Sequence, residues 1–244
     1  MIPKSHPRHK SLRTRELIVK GVENGVASIH GLIAHGRGEA FDYLIGEKTS
    51  KFAERSVMAA AAVLLTAKNP VISVNGNAAV LAPKELIKLS ELINAPLEVN
   101  IFHTSAKREL KIRDYLLKNG ASEVLMPSKM HKIRFLESNR KYISKEGILK
   151  ADVVFVPLED GDRAEALIKN KKKVITVDLN PLSRTSGKST ITIVDNIIRA
   201  IPLLIKTIKQ FRKYNRNQLK KIAKNYNNKE NLKCSLKYML KNLS

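Results

Sequence analysis

The chain of 244 residues contains one cysteine, Cys234, so it cannot close an intramolecular disulfide. That fits a reducing interior. No apolar run is long enough to span a bilayer; the best, from Val63 to Ala67, is capped at once by Lys68. The opening stretch MIPKSHPRHK lacks the apolar core of a signal peptide. These absences lead us to expect a cytoplasmic protein with no membrane association. No GxGxxG fingerprint, no His/Cys metal cluster and no internal repeat occurs. Gly187-Lys188-Ser189-Thr190 imitates the end of a phosphate-binding P-loop, but Leu182 stands where the leading glycine belongs. The next stretch, Thr190 to Val194, reads as a strand rather than a helix, so the match is rejected.

Acidic residues are also scarce, 22 against 45 Lys and Arg, for a net charge of +23. Such a balance invites a nucleic-acid reading. From Lys206 onward, however, twelve Lys or Arg face one acid, Glu230, so about half of the excess sits in the tail. The tail is rich in Lys and Asn, a bias that an AT-rich genome produces without selection for binding. Nucleic acid is therefore not the expected partner. Residues 1–10 are expected to form an irregular arm.

The remaining chain alternates helix and strand signals. Helices are predicted from Leu12, capped by Ser11, to about Asn24 with Gly25 ending it, and from Lys51 to Lys68 behind Thr49 or Ser50. The stretch Ile29 to Leu44 reads as a helix containing glycines or one broken at Gly36. Further helices are expected over 78–93, 106–118, from about Arg163 to Asn170, and 197–214. Strands are expected at 71–74, 97–102, 121–126, 151–156, 173–177 and 190–194. Residues 127–149 read as an insertion or mobile loop. The short, uninterrupted Val/Ile strands predict a doubly wound, mostly parallel α/β sheet with helices on both faces. Two units are expected: a Rossmann-like domain over 1–205 and a basic helical extension over 206–244. The extension carries apolar residues at helical spacing, so it is expected to dock, leaving the reactive site within the first 205 residues.

In doubly wound sheets ligands bind beyond the carboxyl ends of the strands. Asn75, Glu159, Asp160, Asp178, Asn180, Asp195 and Asn196 all occupy such ends. Asn75-Gly76-Asn77 between strand and helix suits an anion, or is a tight turn with Gly76 at positive φ. Glu159, Asp160 and Asp162 can offer Mg²⁺ oxygen ligands, although one of the two aspartates can equally cap the next helix. The stretch LIAHGRGEAFDYLIGE, 32–47, sets His35, Arg37 and Glu39 among small residues, with Gly36 and Gly38 leaving room beside the Arg37 guanidinium. Arg15, Arg37 and Arg184 can hold phosphates. The pattern is that of a nucleotide-using enzyme.

The blocks IPKSHPR, GLIAHGRGEAFDYLIGE, NPVISVNGNAA, ADVVFVPLEDGDR, VITVDLNPLSR and ITIVDNIIRA resemble the archaeal phosphopantothenate synthetase (4-phosphopantoate–β-alanine ligase) family over about residues 2–202. The resemblance implies ATP-dependent amide formation between 4-phosphopantoate and β-alanine, releasing AMP and pyrophosphate, in coenzyme A biosynthesis. It also implies a Rossmann-like, cytoplasmic homodimer. Carried to matching positions, ATP contacts fall on Arg15, Arg37, Asp178-Leu179-Asn180, Arg184-Thr185 and Asp195-Asn196. The chemistry assigns Arg37 to the charge that builds on the α-phosphate, with Mg²⁺ held by Asp160 and Asp162. Asn75 to Asn77 are candidates for the substrate phosphate. His35 or Glu39 is the candidate base for the β-alanine ammonium, His35 having the better-suited pKa. Two rival readings remain: another nucleotide-dependent ligase or kinase on the same fold, and a nucleic-acid-binding module driven by the tail.

Overall fold

The computed structural model describes residues 3–102 and 105–242. Met1 and Ile2 of the expected arm, and the last two tail residues, lie outside them. Three helices lead in: α1 (His9–Glu23), α2 (Ile29–Leu44) and α3 (Lys51–Thr66). Ser50 caps α3, accepting from the Ala53 amide at 3.4 Å. Gly25, at φ +70°, comes after α1 as expected. The expected Ser11 cap is not formed: α1 starts three residues earlier, and the Ser11 hydroxyl donates to Glu39 at 2.6 Å instead. Helix α2 is unbroken at Gly36. Ser28 caps it, and its N–H···O=C ladder carries it through the glycines.

Next come β1 (Pro70–Val74), α4 (Gly76–Leu81), α5 (Pro83–Ile93), β2 (Leu97–Val99) and α6 (Ala106–Lys118). The single helix expected over 78–93 is two. Pro83 lacks an N–H and forces the preceding residue out of helical geometry, and Ala82 sits at φ −144°, ψ 46°. Of the strand expected at 121–126, only Leu125 pairs, as a parallel bridge to Glu98. The chain continues through β3 (Ser128–Lys132), β4 (Tyr142–Ile143), β5 (Val153–Phe155), α7 (Gly161–Lys169), β6 (Lys173–Val177), α8 (Arg184–Lys188), β7 (Ile191–Ile193), α9 (Ile197–Phe211), α10 (Arg216–Lys224) and α11 (Asn228–Lys241).

Five strands form one parallel sheet in the order β2-β1-β5-β6-β7. The chain runs outward in one direction through β2 and then in the other through β5, β6 and β7, so the order reverses between β1 and β5. Alternate strand residues enter opposite cores. Ile72, Val74, Val153, Phe155, Ile175 and Val177 pack with helical residues from α3, α4, α5 and α9. Val71, Val154, Val156 and Val174 pack on Ala164, Ala166 and Leu167 of α7. The doubly wound architecture expected from the strand pattern is the one that forms.

The segment 127–149 is a correction. It is not a loose insertion: β3 and β4 pair antiparallel, and Ile133, Leu136, Ile143 and Ile148 complete the second core. Glu98, buried on β2, accepts from the amides of Ser144 (2.9 Å) and Ile148 (2.7 Å). Burial pushes its carboxyl up to about 7 in spite of those two donors.

Helix α9 runs without a break across the boundary expected at 205/206. The two helices beyond it dock. Asn231 donates to Phe52 O (3.0 Å) and Ser56 Oγ (2.7 Å) on α3. Asn228 donates to Ser186 O (2.9 Å) and Ser189 O (3.1 Å), and accepts from the Thr192 amide (2.8 Å), so it holds the end of α8 against β7. Leu219, Leu232 and Met239 are buried. Each buried side chain of this size is worth about 1.5–3 kcal/mol. Truncation after Tyr214 is therefore expected to cost about 5 kcal/mol or more, read as a large fall in Tm or loss of soluble chain. An unchanged melting curve would mean that this docking contributes nothing.

Candidate active site

The sheet's carboxyl edge opens into a cleft of about 560 Å³ where the strand order reverses, roofed by α2. Asn75 ties the reversal together. Its side-chain amide donates to Pro157 O (3.0 Å) and Leu158 O (2.9 Å) beyond β5, and its Oδ1 caps α4 by accepting from the Ala78 amide (3.0 Å). Its side chain is therefore committed to the fold, which corrects the expectation that it meets a substrate phosphate. Gly76 is not at positive φ; it is glycine because a Cβ would stand 2.4 Å from Val26 O. Asn77 donates to Gly31 O at 2.7 Å, fastening α2 to this edge.

Three residues on α2 were expected in the site. Arg37 lines the cleft, is exposed, and makes no ion pair among the described residues. A Cβ at neighbouring Gly36 would meet nothing within 4 Å, so open space does lie beside it. His35 also lines the cleft. Its Nε2 is buried without a hydrogen-bond partner among the described residues. Burial pushes its pKa below the ordinary 6.5, against the pull of Glu39 and Asp42 and with a push from Arg15. Glu39 differs from expectation. It is ion-paired to Arg15 at 2.7 Å and accepts from Ser11, so it is poorly placed as a free base. By the same pair Arg15 braces α1 against α2; it is not among the residues lining the cleft.

Because the folded His35 takes its proton at lower pH than the unfolded residue, the unfolded chain binds the proton first on acidification. Stability from this residue is intact above about pH 6.5 and lost as pH falls through the window below it. Thermal melts between pH 5 and 8 are expected to show a shallower acid slope in His35→Gln than in the parent. Equal slopes would remove His35 as the source.

At the ends of β6 and β7 the expected residues mostly build their own turns. Asp178 accepts from the Ser183 hydroxyl and from the Asn180 amide (2.9 Å), and burial pushes its carboxyl up. Asn180 Oδ1 accepts from the Leu182 amide at 2.9 Å. Leu179 is buried beside Gly38, its Cδ1 3.6 Å from where a Cβ would stand. Thr185 donates to Glu159 O at 2.8 Å. Arg184 lines the cleft with its side chain 61% exposed, paired to Glu165 at 2.6 Å. Asn196 lines the cleft, caps α9 and donates to Asp42 at 2.8 Å. Asp195 is not among the lining residues: it accepts from Thr49 (2.6 Å) and from Arg199 Nε (2.8 Å), which leaves it a structural anchor.

Beyond β5 the acidic run meets arginines that sequence spacing did not reveal. Glu159, fully buried, pairs with Arg140 and Arg163, and Asp160 pairs with Arg140. Arg163 is buried completely and reaches Ser73 Oγ at 3.1 Å. Arg140 comes from the segment expected to be a loop. Its Nε donates to Asn100 Oδ1 at 2.8 Å, while Asn100 Nδ2 donates back to Arg140 O (3.1 Å) and Tyr142 O (3.2 Å). The helix cap expected from Asp160 or Asp162 is not made by a side chain; Asp162 accepts from the adjacent Arg163 amide at 2.8 Å. These residues do not fit the expected Mg²⁺ site. Their carboxylates face arginines, and no group of three His, Cys, Asp or Glu side chains is placed to hold a metal among the described residues. The rejected P-loop match ends in the short helix α8 and leads into β7, with no long helix after it.

The model of the phosphopantothenate/pantothenate synthetase family matches residues 52–242, so the match takes in the C-terminal helices, past the point where the matching blocks end. The 4-phosphopantoate–β-alanine ligase of Thermococcus kodakarensis is 51% identical over 232 residues, covering 95% of this chain and 89% of the relative. The enzyme of the same name from Thermococcus onnurineus gives the same figures. That of Methanosarcina mazei is 48% identical over 231 residues, covering 95% of this chain and 91% of the relative.

Proposed function

This chain belongs to the phosphopantothenate/pantothenate synthetase family, and on that premise we propose that it is an ATP-dependent ligase joining 4-phosphopantoate to β-alanine. The observation that carries the reading is identity at about half of all positions to ligases of that name, over nearly the whole of both chains.

A carboxylate is a poor electrophile, so it must first be activated. Attack of the 4-phosphopantoate carboxylate on the α-phosphate of ATP breaks the bond to pyrophosphate and leaves an acyl-adenylate. Negative charge grows on the phosphate oxygens as this happens. Arg37, with no ion pair among the described residues and with open space beside it, is the side chain placed to meet it. Arg184 meets the outer phosphates by exchanging Glu165 for them. The turn 178–180 and Asn196 shape the nucleoside end, and Asp195 and Arg15 support that site from behind. The first-turn amides of Gly76 and Asn77, not the Asn75 side chain, are left for the substrate's own phosphate. In the second step the β-alanine ammonium first gives up one proton, the freed amine nitrogen attacks the acyl carbon, AMP leaves with its bonding electrons, and a second proton leaves the nitrogen as the amide forms. His35, kept neutral by burial, is the acceptor we assign. Mg²⁺ enters on this reading with the ATP phosphates rather than in a cage of carboxylates.

Among the described residues no helix is long and apolar enough to cross a membrane. We place the enzyme in the cytoplasm as a homodimer; Ile29 and Ile33, one turn apart and exposed on α2, offer an apolar patch for the partner copy. Incubation with ATP, 4-phosphopantoate and β-alanine tests the function. AMP, pyrophosphate and 4'-phosphopantothenate are expected in equal amounts. ADP as the nucleotide product would mean phosphoryl transfer by a kinase-like enzyme and overturn adenylation.

A further inference from the structure

We propose that Asp160 receives the ammonium group of β-alanine and that Arg140 holds it in position to do so; the proposal rests on the ligase reading. β-Alanine arrives as a zwitterion, and a cleft built to hold phosphates repels its ammonium end. Some carboxylate on the cleft wall must offset that repulsion. Four carboxylates line the cleft, and three have their oxygens occupied. Glu39 is held by Arg15 and Ser11. Glu159 lies fully buried between Arg140 and Arg163. Asp178 anchors its own turn through Ser183 and the Asn180 amide.

Asp160 is different. Its side chain is 48% exposed. Oδ2 meets Arg140, and Oδ1 accepts no hydrogen bond from a described residue. Although Asp160 stands at the N-cap of α7, it spends neither oxygen on the cap. Arg140 itself has little freedom: Asn100 Oδ1 at 2.8 Å and Glu159 Oε2 at 2.9 Å fix its guanidinium, and Asn100 grips its backbone. A fixed guanidinium holds one carboxylate oxygen and leaves the other for a charged donor, whose hydrogen bond is stronger than one between neutral groups. Two arginines face Glu159 and Asp160, so the cluster's charges balance, although burial pushes the Asp160 carboxyl up.

The test compares two nucleophiles on the full-length enzyme. One is β-alanine, which arrives charged; the other is hydroxylamine, which is neutral near pH 7.5. Adenylation is followed separately as pyrophosphate–ATP exchange dependent on 4-phosphopantoate. For Asp160→Asn, the KM for β-alanine is expected to rise about ten- to a hundredfold, the loss of one charge-assisted hydrogen bond. The exchange rate and the rate with hydroxylamine should each stay within about threefold. Asp160→Glu, which keeps the charge, should recover part of the β-alanine KM. Arg140→Lys should raise the same KM less than Asp160→Asn, with kcat affected less than KM. Equal losses with both nucleophiles would overturn the proposal, as would a β-alanine KM that does not move. Loss of exchange in Asp160→Asn would overturn it too, placing Asp160 in adenylation. A parent enzyme lacking such exchange would instead overturn the ligase reading, and this proposal with it.

Discussion

Glu159→Gln is expected to cost this chain a large part of its stability. The Glu159 carboxylate is fully buried between two guanidinium groups, Arg140 and Arg163, which are themselves almost wholly removed from water. Gln keeps the shape and removes the charge. Arg140 then keeps only Asp160, at the edge of the group, and Arg163 keeps no ion pair among the described residues. Breaking a buried ion pair from one side costs about 3–5 kcal/mol, because the desolvated partner charge is left without compensation. For a chain of this size that is roughly 10 °C in Tm. Activity should fall as well, since the Arg140 guanidinium rests on the Glu159 carboxylate. A melting temperature within about 2 °C of the parent would show that water or a local shift screens the arginines.

Arg37→Lys is expected to do the reverse: little to stability and much to rate. Arg37 is exposed and makes no ion pair among the described residues, so substitution at the surface should stay within about 0.5 kcal/mol. Lys keeps the positive charge and loses the planar fork that meets two phosphate oxygens at once. If that fork acts on charge developing at the α-phosphate, kcat falls by about tenfold or more while substrate KM values move less. Circular dichroism and melting curves should overlay the parent's. A variant turning over at the parent's rate would remove Arg37 from the activated complex and leave Arg184 as the arginine to test.

The local features of this protein were legible in its residues because local sequence causes them. Short, β-branched runs such as VITV and VVFV between turn signals suit strands covered on both faces, and they alternate with amphipathic helices, which yields the doubly wound sheet. The blocks at the strand ends marked the cleft edge, and Arg37 stood out between two glycines. Local reading failed where a distant partner decides the outcome. Asn75 looked like an anion-binding residue, yet its amide is spent on carbonyls more than eighty positions away in the chain. Glu39 looked like a base until α1 brought Arg15 and Ser11 to it. Asp195 looked like a ligand contact until Thr49 reached it from the start of α3.

The segment 127–149 shows the limit most sharply. Its polar, unperiodic sequence carries no sign that Ile133, Leu136, Ile143 and Ile148 close a core, or that Arg140 enters the site. Neither fact is encoded by spacing; both arise because Glu98 and Asn100, at one end of β2, bind this segment's backbone. By itself the sequence determined the five strands of the sheet, most of the helices around it, the family and the cleft edge, since periodicity and contiguous blocks are properties of neighbouring residues. Only the tertiary structure decided which carboxylates are free and which are spent. That depends on which arginine, some twenty positions away in the chain, burial brings within hydrogen-bonding reach, and a buried charge without such a partner is too costly to keep.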